Sequence, residues 1–185
     1  TIVHNGIIEN YQLLKAKLID YGYEFKSDTD TEVVGALLDF LYSQNHNVLE
    51  CIRNLKFYLD GSYALGIICD DDKEHLYAIK YKSPLIIGIN DDENYIASDV
   101  PAILGMTNKY MILEDGDYVC LSYNKIKIYN DLKEKDVPVR TFDYDVSSID
   151  KRGYEHFMLK EIHEQPEVFK KTTNCYLERG LDSLI

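Results

Sequence analysis

Apolar residues recur with two different periods along this chain, and the change of period divides it. Ile7, Ile8, Tyr11, Leu14, Leu18 and Tyr21 follow helical spacing and predict a first helix over 7–21, with Lys15, Lys17 and Asp20 turned outward. Gly22 stands where a left-handed residue ends a helix without steric cost. Tyr23 to Phe25 reads as a short extended piece. Ser27-Asp-Thr-Asp-Thr-Glu32 is a run of cap formers before Val33, Val34, Leu37, Leu38 and Leu41, so a second helix is expected over 30–44, with Thr29 and Glu32 as a capping box. A third is expected over 47–59, closed by Asp60-Gly61.

From Ser62 the period shortens to two. Apolar or alternating runs at 62–69, 75–81, 85–89, 95–97, 109–113, 118–122 and 125–129 are separated by turn residues, among them Asp70 to Glu74, Ser83-Pro84, Glu114-Asp-Gly-Asp117 and Tyr123-Asn124. Short strands linked by hairpins are mostly antiparallel. Pro101 to Met106 predicts one or two helical turns. Residues 130–152 read as a polar connector, and a helix is expected from Gly153 to Pro166, with a short amphipathic tail over 167–185. Helices ahead of antiparallel strands give an α+β fold.

The first ten residues, Thr1-Ile-Val-His-Asn-Gly-Ile-Ile-Glu-Asn10, hold the first candidate chemistry. Asn5-Gly6 is a strong hairpin signal, but Ile7 and the residues after it have helical rather than strand spacing. A strand-to-helix corner is therefore expected there. A side-chain amide and a glycine N–H at such a corner are also two aimed donors, the parts of an oxyanion site. Asp30 has two readings as well: a first-turn carboxylate facing the helix dipole, or a carboxylate that receives a ligand's ammonium group. Capping needs only one such residue, and this run contains two Asp, two Thr and a Ser.

Composition narrows the classes. The 185 residues are 45% hydrophobic and 28% charged, an ordinary globular composition with enough length for one domain or a domain plus a tail. A formal net charge of −12 argues against nucleic acid and anionic membrane as partners. There is no run long enough for a transmembrane helix and no basic start leading into an apolar core, so neither a membrane span nor a secretory leader is expected. Cys51, Cys69, Cys120 and Cys175 are widely spaced, which excludes the usual zinc pattern and points to reduced thiols in a cytoplasmic protein. No metal and no cofactor are expected. The chain opens in mid-strand at Thr1, which reads as a fragment.

Taken together, Thr1-Ile-Val-His-Asn-Gly-Ile-Ile-Glu-Asn10, Gly22-Tyr-Glu-Phe-Lys-Ser-Asp-Thr-Asp-Thr-Glu-Val33, Gly61-Ser-Tyr-Ala64, Ser83-Pro-Leu-Ile-Ile-Gly88, Ala97-Ser-Asp99 and Phe157-Met-Leu-Lys-Glu-Ile-His-Glu-Gln-Pro166 resemble one family in register. It is the glutaminase (class II glutamine amidotransferase) half of the glutamine–fructose-6-phosphate aminotransferases, or glucosamine-6-phosphate synthases. The 160–166 segment is its most discriminating part. In that family it joins the glutaminase to the sugar-isomerase domain.

The resemblance implies an N-terminal-nucleophile hydrolase fold, a four-layer αββα sandwich, here incomplete at its N-terminus. It implies a partial glutaminase domain over 1–152, then a linker and the start of the isomerase domain over 153–185. The implied chemistry is hydrolysis of the L-glutamine side-chain amide by an N-terminal cysteine whose own amino group is the base. The ammonia then aminates fructose 6-phosphate in the isomerase domain, for amino-sugar synthesis, in a full-length homodimer. Asn5 and Gly6 match the oxyanion-hole pair, and Asp30 matches the carboxylate that binds the substrate's α-ammonium. Glu32 stays a cap and His4 a structural strand histidine.

The family's nucleophile and its carboxylate-gripping stretch lie upstream of His-Asn-Gly and are not in these residues. Thr1 is no substitute: at about 3.3 Å per extended residue it lies roughly 13 Å back along the strand. The fragment alone is expected to be inactive. Two alternatives remain: the glutaminase domain of a phosphoribosyl or asparagine-forming amidotransferase, and a catalytically dead regulatory module.

Overall fold

A computed structural model of the chain describes residues 1–142 and 153–178. The chain divides into two compact units, one ending at Asp143 and the other beginning at Tyr144. The remainder of the expected connector (143–152), the end of the tail (179–185) and the Cys175 side chain lie outside the described residues.

In the first unit, β1 (Ile2–Ile8) leads to α1 (Tyr11–Asp20), α2 (Asp30–Asn45) and α3 (Val48–Leu55). Next come β2 (Gly61–Cys69), β3 (Asp72–Tyr81), β4 (Ile86–Ile89), β5 (Asn94–Ala97), a 3-10 turn at Val100–Ala102, β6 (Lys109–Ile112), β7 (Asp117–Leu121), β8 (Ile126–Asn130), β9 (Lys133–Lys135) and β10 (Arg140–Thr141). Every strand pairing is antiparallel. One sheet has the order β1-β2-β3-β7-β8-β9 and the other β10-β6-β4-β5. The fold is α+β, as the two periods require.

Two cores set the layers. Ile8, Leu14, Leu18, Val33, Leu37, Ile52, Leu55, Tyr63 and Ile79 bury one face of the six-stranded sheet under α1, α2 and α3. Ala64, Ala78, Ile87, Val119, Leu121 and Ile128 fill the space between the two sheets. Thus alternate residues of β2 serve different cores, the strand period doing the sorting. On the far face of β4, Ile103 and Thr107 lie against Gly88, so the segment around the 3-10 turn covers the second sheet from outside.

Several expectations change; among them, the third helix ends at Leu55 rather than Leu59, and β3 begins at Asp72, inside the expected 70–74 turn. The first helix starts at Tyr11, not at residue 7, because Ile7 and Ile8 continue the β-branched run and pair with Ser62 and Gly61. Asn5-Gly6 therefore lies inside a strand. Part of the expected connector is ordered as β9 and β10, short polar edge strands in which apolar alternation is too weak to read. In the second unit, α4 (Phe157–Glu178) continues through Pro166, where the proline removes one backbone donor without ending the helix.

Other local rules hold. Thr29 caps α2, its hydroxyl accepting from the Glu32 N–H at 3.4 Å. Glu32 reaches back further than a capping box, to the N–H groups of Lys26 (2.9 Å) and Ser27 (2.7 Å), and these bonds hold its carboxyl below the usual carboxylate range. Gly22 comes just after α1 at φ +91°. Among the described residues no helix is long and apolar enough to cross a membrane.

A polar cluster at the outer end of β3 yields a stability prediction. Tyr77 donates its hydroxyl to Asp72 Oδ2 at 2.5 Å, and His75 Nδ1 lies 2.8 Å from Asp72 Oδ1. The bond from Tyr77, then that from His75, holds the Asp72 carboxyl below its ordinary value. A carboxyl lowered in the folded state stabilises above its unfolded value, and that contribution fades as pH falls through the folded value. Because Asp72 is partly exposed, Tyr77→Phe is expected to cost only about 1 kcal/mol. Urea midpoints should fall near neutral pH and converge with wild type once Asp72 is protonated. An unchanged midpoint at neutral pH would show that the bond contributes nothing.

Candidate active site

Strand β1 is the outer strand of its sheet, and its register decides which groups it leaves open. The Thr1 ammonium donates to Ile68 O and Ile68 N–H to Thr1 O, both at 2.9 Å, and Glu9 N–H donates to Asp60 O at 2.9 Å. The odd-numbered residues therefore bond inward to β2. By the antiparallel alternation, the N–H groups of Gly6 and Ile8 face away from it. Ile8 N–H is taken by Asp30 Oδ2 at 2.9 Å. The Gly6 N–H faces the free edge.

Gly6 is held tightly. Its φ is +133°, and a Cβ there would lie 2.1 Å from Ser62 O and 2.8 Å from Ser83 Oγ. Only glycine allows β1 to pass this close to the start of β2. Asn5, opposite Ala64, is exposed, and its amide makes no hydrogen bond to any described residue. Asn5 thus leaves its side-chain amide uncommitted on one face of β1, and Gly6, the next residue, turns its N–H to the free edge of the strand.

Asp30 opens α2, and its side chain is 22% exposed. It is not the cap, since Thr29 fills that role. Instead it reaches across to β1. Besides Ile8 N–H it accepts from the Thr31 hydroxyl at 3.4 Å, and His4 Nδ1 lies 3.6 Å from its Oδ1. Asp30 therefore touches the residue before Asn5 and the second residue after Gly6. All three sequence-derived site residues converge on β1.

The sequence alone did not single out Ser83 or Thr31. Ser83-Pro84 reads only as a strand break, yet its buried hydroxyl faces Gly6. For Thr31 a signal existed: the 27–32 run holds more cap formers than one helix start can use, and the surplus, Asp30 and Thr31, is what turns to β1. Cys51 and Cys120 are free, and burial pushes both thiols up, away from the thiolate a nucleophile needs. Among the described residues no three metal-ligating side chains gather.

Comparison with known proteins identifies the family. A family model described as a glutamine amidotransferase domain matches residues 1–105. A Clostridium perfringens glutamine–fructose-6-phosphate aminotransferase (isomerizing) is 45% identical over 174 residues, covering 92% of this chain and 28% of that protein. The Acinetobacter baylyi protein of the same name is 46% identical over 171 residues, with the same coverages. The chain thus spans under a third of the length of these relatives. Among solved structures, glutamine phosphoribosylpyrophosphate amidotransferase from Bacillus subtilis superposes with TM-score 0.61 at 27% identity, over 70% of this chain and 28% of that one. An allosteric regulatory enzyme of purine biosynthesis gives 0.59 at 26%, with the same coverages. These neighbours place the α+β sandwich in the N-terminal-nucleophile hydrolase class. The family match covers more than half of the chain and includes Asn5, Gly6 and Asp30: the chain belongs to the glutamine amidotransferase domain family.

Proposed function

We propose that this chain is the glutamine-handling part of a glutamine–fructose-6-phosphate aminotransferase, releasing ammonia from L-glutamine for transfer to fructose 6-phosphate. The observation that carries the glutamine chemistry is the pair of uncommitted donors at Asn5 and Gly6 on the strand that Asp30 grips. As the amide carbon becomes tetrahedral, its oxygen gains negative charge, and the Asn5 amide and Gly6 N–H stabilise it. Asp30 receives the substrate's α-ammonium in a charge-assisted bond, which sets which end of glutamine enters. Neither Cys51 nor Cys120 is the nucleophile; in this reading it comes from a segment preceding His4. Residues 1–152 form the glutaminase portion. Residues 153–185 lead into a sugar-isomerase domain, through which the full-length protein pairs as a homodimer.

Fructose 6-phosphate as acceptor is supported by the 45–46% identity to aminotransferases of that name over 92% of the chain. The structural neighbours favour one competitor, phosphoribosyl pyrophosphate. The full-length gene product, given glutamine and each acceptor separately, is expected to form glucosamine 6-phosphate and no phosphoribosylamine. The reverse result would overturn the acceptor assignment.

The site roles separate kinetically. Asn5→Ala is expected to lower kcat about a hundredfold or more with little change in the KM for glutamine. Asp30→Asn is expected chiefly to raise that KM, because it removes a charge that binds ground state and transition state alike. Equal effects of the two substitutions on KM would sink these assignments.

A further inference from the structure

His4 uses one ring nitrogen and, among the described residues, leaves the other without a partner. Its side chain is 3% exposed. Nδ1 lies 3.0 Å from Thr31 Oγ1, while Nε2 is buried with no hydrogen-bond partner. The Thr31 hydroxyl in turn reaches Asp30 Oδ1.

These contacts discriminate among the three protonation states. With the proton on Nε2, a buried N–H faces nothing. Nδ1 must then accept the Thr31 hydroxyl proton, which takes that proton away from Asp30. With both nitrogens protonated, the same buried N–H is orphaned, and an imidazolium 3.6 Å from Asp30 cancels the charge a substrate ammonium needs. With the proton on Nδ1, the ring donates to Thr31 Oγ1 and Thr31 donates to Asp30. Only a lone pair is then left unpartnered, and every donor in the chain has an acceptor.

We propose that His4 is a positioning residue for the glutamine site. As the neutral Nδ1–H tautomer it holds the Thr31 hydroxyl on Asp30 Oδ1, while Ile8 N–H holds Oδ2. Asp30 is thereby fixed by two donors and keeps its full negative charge for the substrate. The proposal rests on the role of Asp30 given above and adds the relay His4–Thr31–Asp30 to it. It also gives the histidine of His-Asn-Gly a function that needs no contact with the reacting atoms.

The test is made in the full-length protein. In His4→Asn the carboxamide nitrogen occupies the place of Nδ1, and the KM for glutamine is expected to stay within about threefold of wild type. In His4→Gln the nitrogen occupies the place of Nε2, and KM is expected to rise about tenfold, the loss of one bond supporting a charged group, with a smaller change in kcat. Thr31→Val should match His4→Gln, and the double variant should be no worse than either single one. The ring 15N shifts of His4 in wild type report the tautomer without any variant, and Nδ1–H is expected.

A merely structural histidine predicts otherwise: the smaller Asn is then at least as damaging as Gln, and glutamine KM does not track the donor's position. An Nε2–H tautomer, or Asn and Gln variants with equal KM, overturns the proposal. If Asp30→Asn leaves KM unchanged, the reading of Asp30 itself has failed. If Asp30→Asn raises KM while His4→Gln and Thr31→Val do not, only the relay has failed.

Discussion

Gly6→Ala is expected to cost the fold about 3 kcal/mol or more and, in the full-length protein, to abolish the glutamine turnover proposed above. Two effects add. At φ +133° any L side chain is strained, by about 1–3 kcal/mol. In addition the new Cβ meets the Ser62 carbonyl oxygen at 2.1 Å and its carbon at 2.9 Å, and a backbone atom cannot rotate away. Ser83 Oγ at 2.8 Å can move; Ser62 cannot without opening the pairing of β1 with β2. Gly22→Ala is the control. Gly22 also has positive φ, at +91°, but a Cβ there meets nothing within 4 Å. The difference between the two variants in urea unfolding isolates the clash. Equal losses would show that the strand yields at Gly6 and that its tight seat is not structural.

The same residue shows how far local pattern reaches. The β-branched run, the cap at Thr29, the helix end at Gly22 and the alternation through β2 to β8 are local signals, and each yields the right kind of element. Asn5-Gly6 misleads because two signals overlap: Ile7 and Ile8 are spaced to suit a helix with Tyr11 and Leu14, and they are equally a strand continuation. The deciding contact is nonlocal, since Ile7 and Ile8 find Ser62 and Gly61 more than fifty residues on. The helix waits until Asn10, whose side chain binds Tyr58 O and Asp60 N–H and ties the β1 exit to the α3 exit. No local period encodes that. Pro166 misleads in the same way, as a strong breaker signal that a long helix absorbs.

The site was legible as residue types and not as geometry. Asn5, Gly6 and Asp30 come from motif and resemblance. That Gly6 turns its N–H outward is a consequence of register, which needs β2. That Asp30 spends one oxygen on Ile8 N–H depends on α2 crossing β1. The excess of hydroxyl and carboxylate groups in 27–32 is plain in the sequence, but its use is tertiary: Thr29 and Glu32 serve the helix start, whereas Asp30 and Thr31 serve the strand. A candidate site and a cap share one hexapeptide because successive helical residues face in different directions.

The other large effect is expected far from this site. Asp117→Ala should destabilise the fold by about 3–5 kcal/mol, the usual cost of leaving a buried charge network without one partner. Asp117 is wholly buried at the start of β7, where it faces three groups. Its Oδ2 accepts from Glu114 N–H at 2.8 Å, closing the 114–117 turn. Its Oδ1 accepts from Asn130 Nδ2 at 2.7 Å on β8, and Lys135 Nζ on β9 lies 3.1 Å from Oδ2. One carboxylate thus ties a turn and three neighbouring strands at the end of the sheet remote from β1. Truncation takes the Glu114 N–H's acceptor away, and it takes one of two acceptors each from the Asn130 amide, which keeps Asp115 O, and from the Lys135 ammonium, which keeps Glu114. Asp117→Asn should cost less, since its oxygen can still serve one donor. Adding Lys135→Met to Asp117→Ala should recover part of the loss, because the second change removes an ammonium that has lost one of its two carboxylate partners. Urea unfolding of the two single variants and the double variant completes the cycle. Strict additivity would mean that Lys135 is already satisfied by Glu114 alone, and that the turn and the Asn130 bond carry the whole effect.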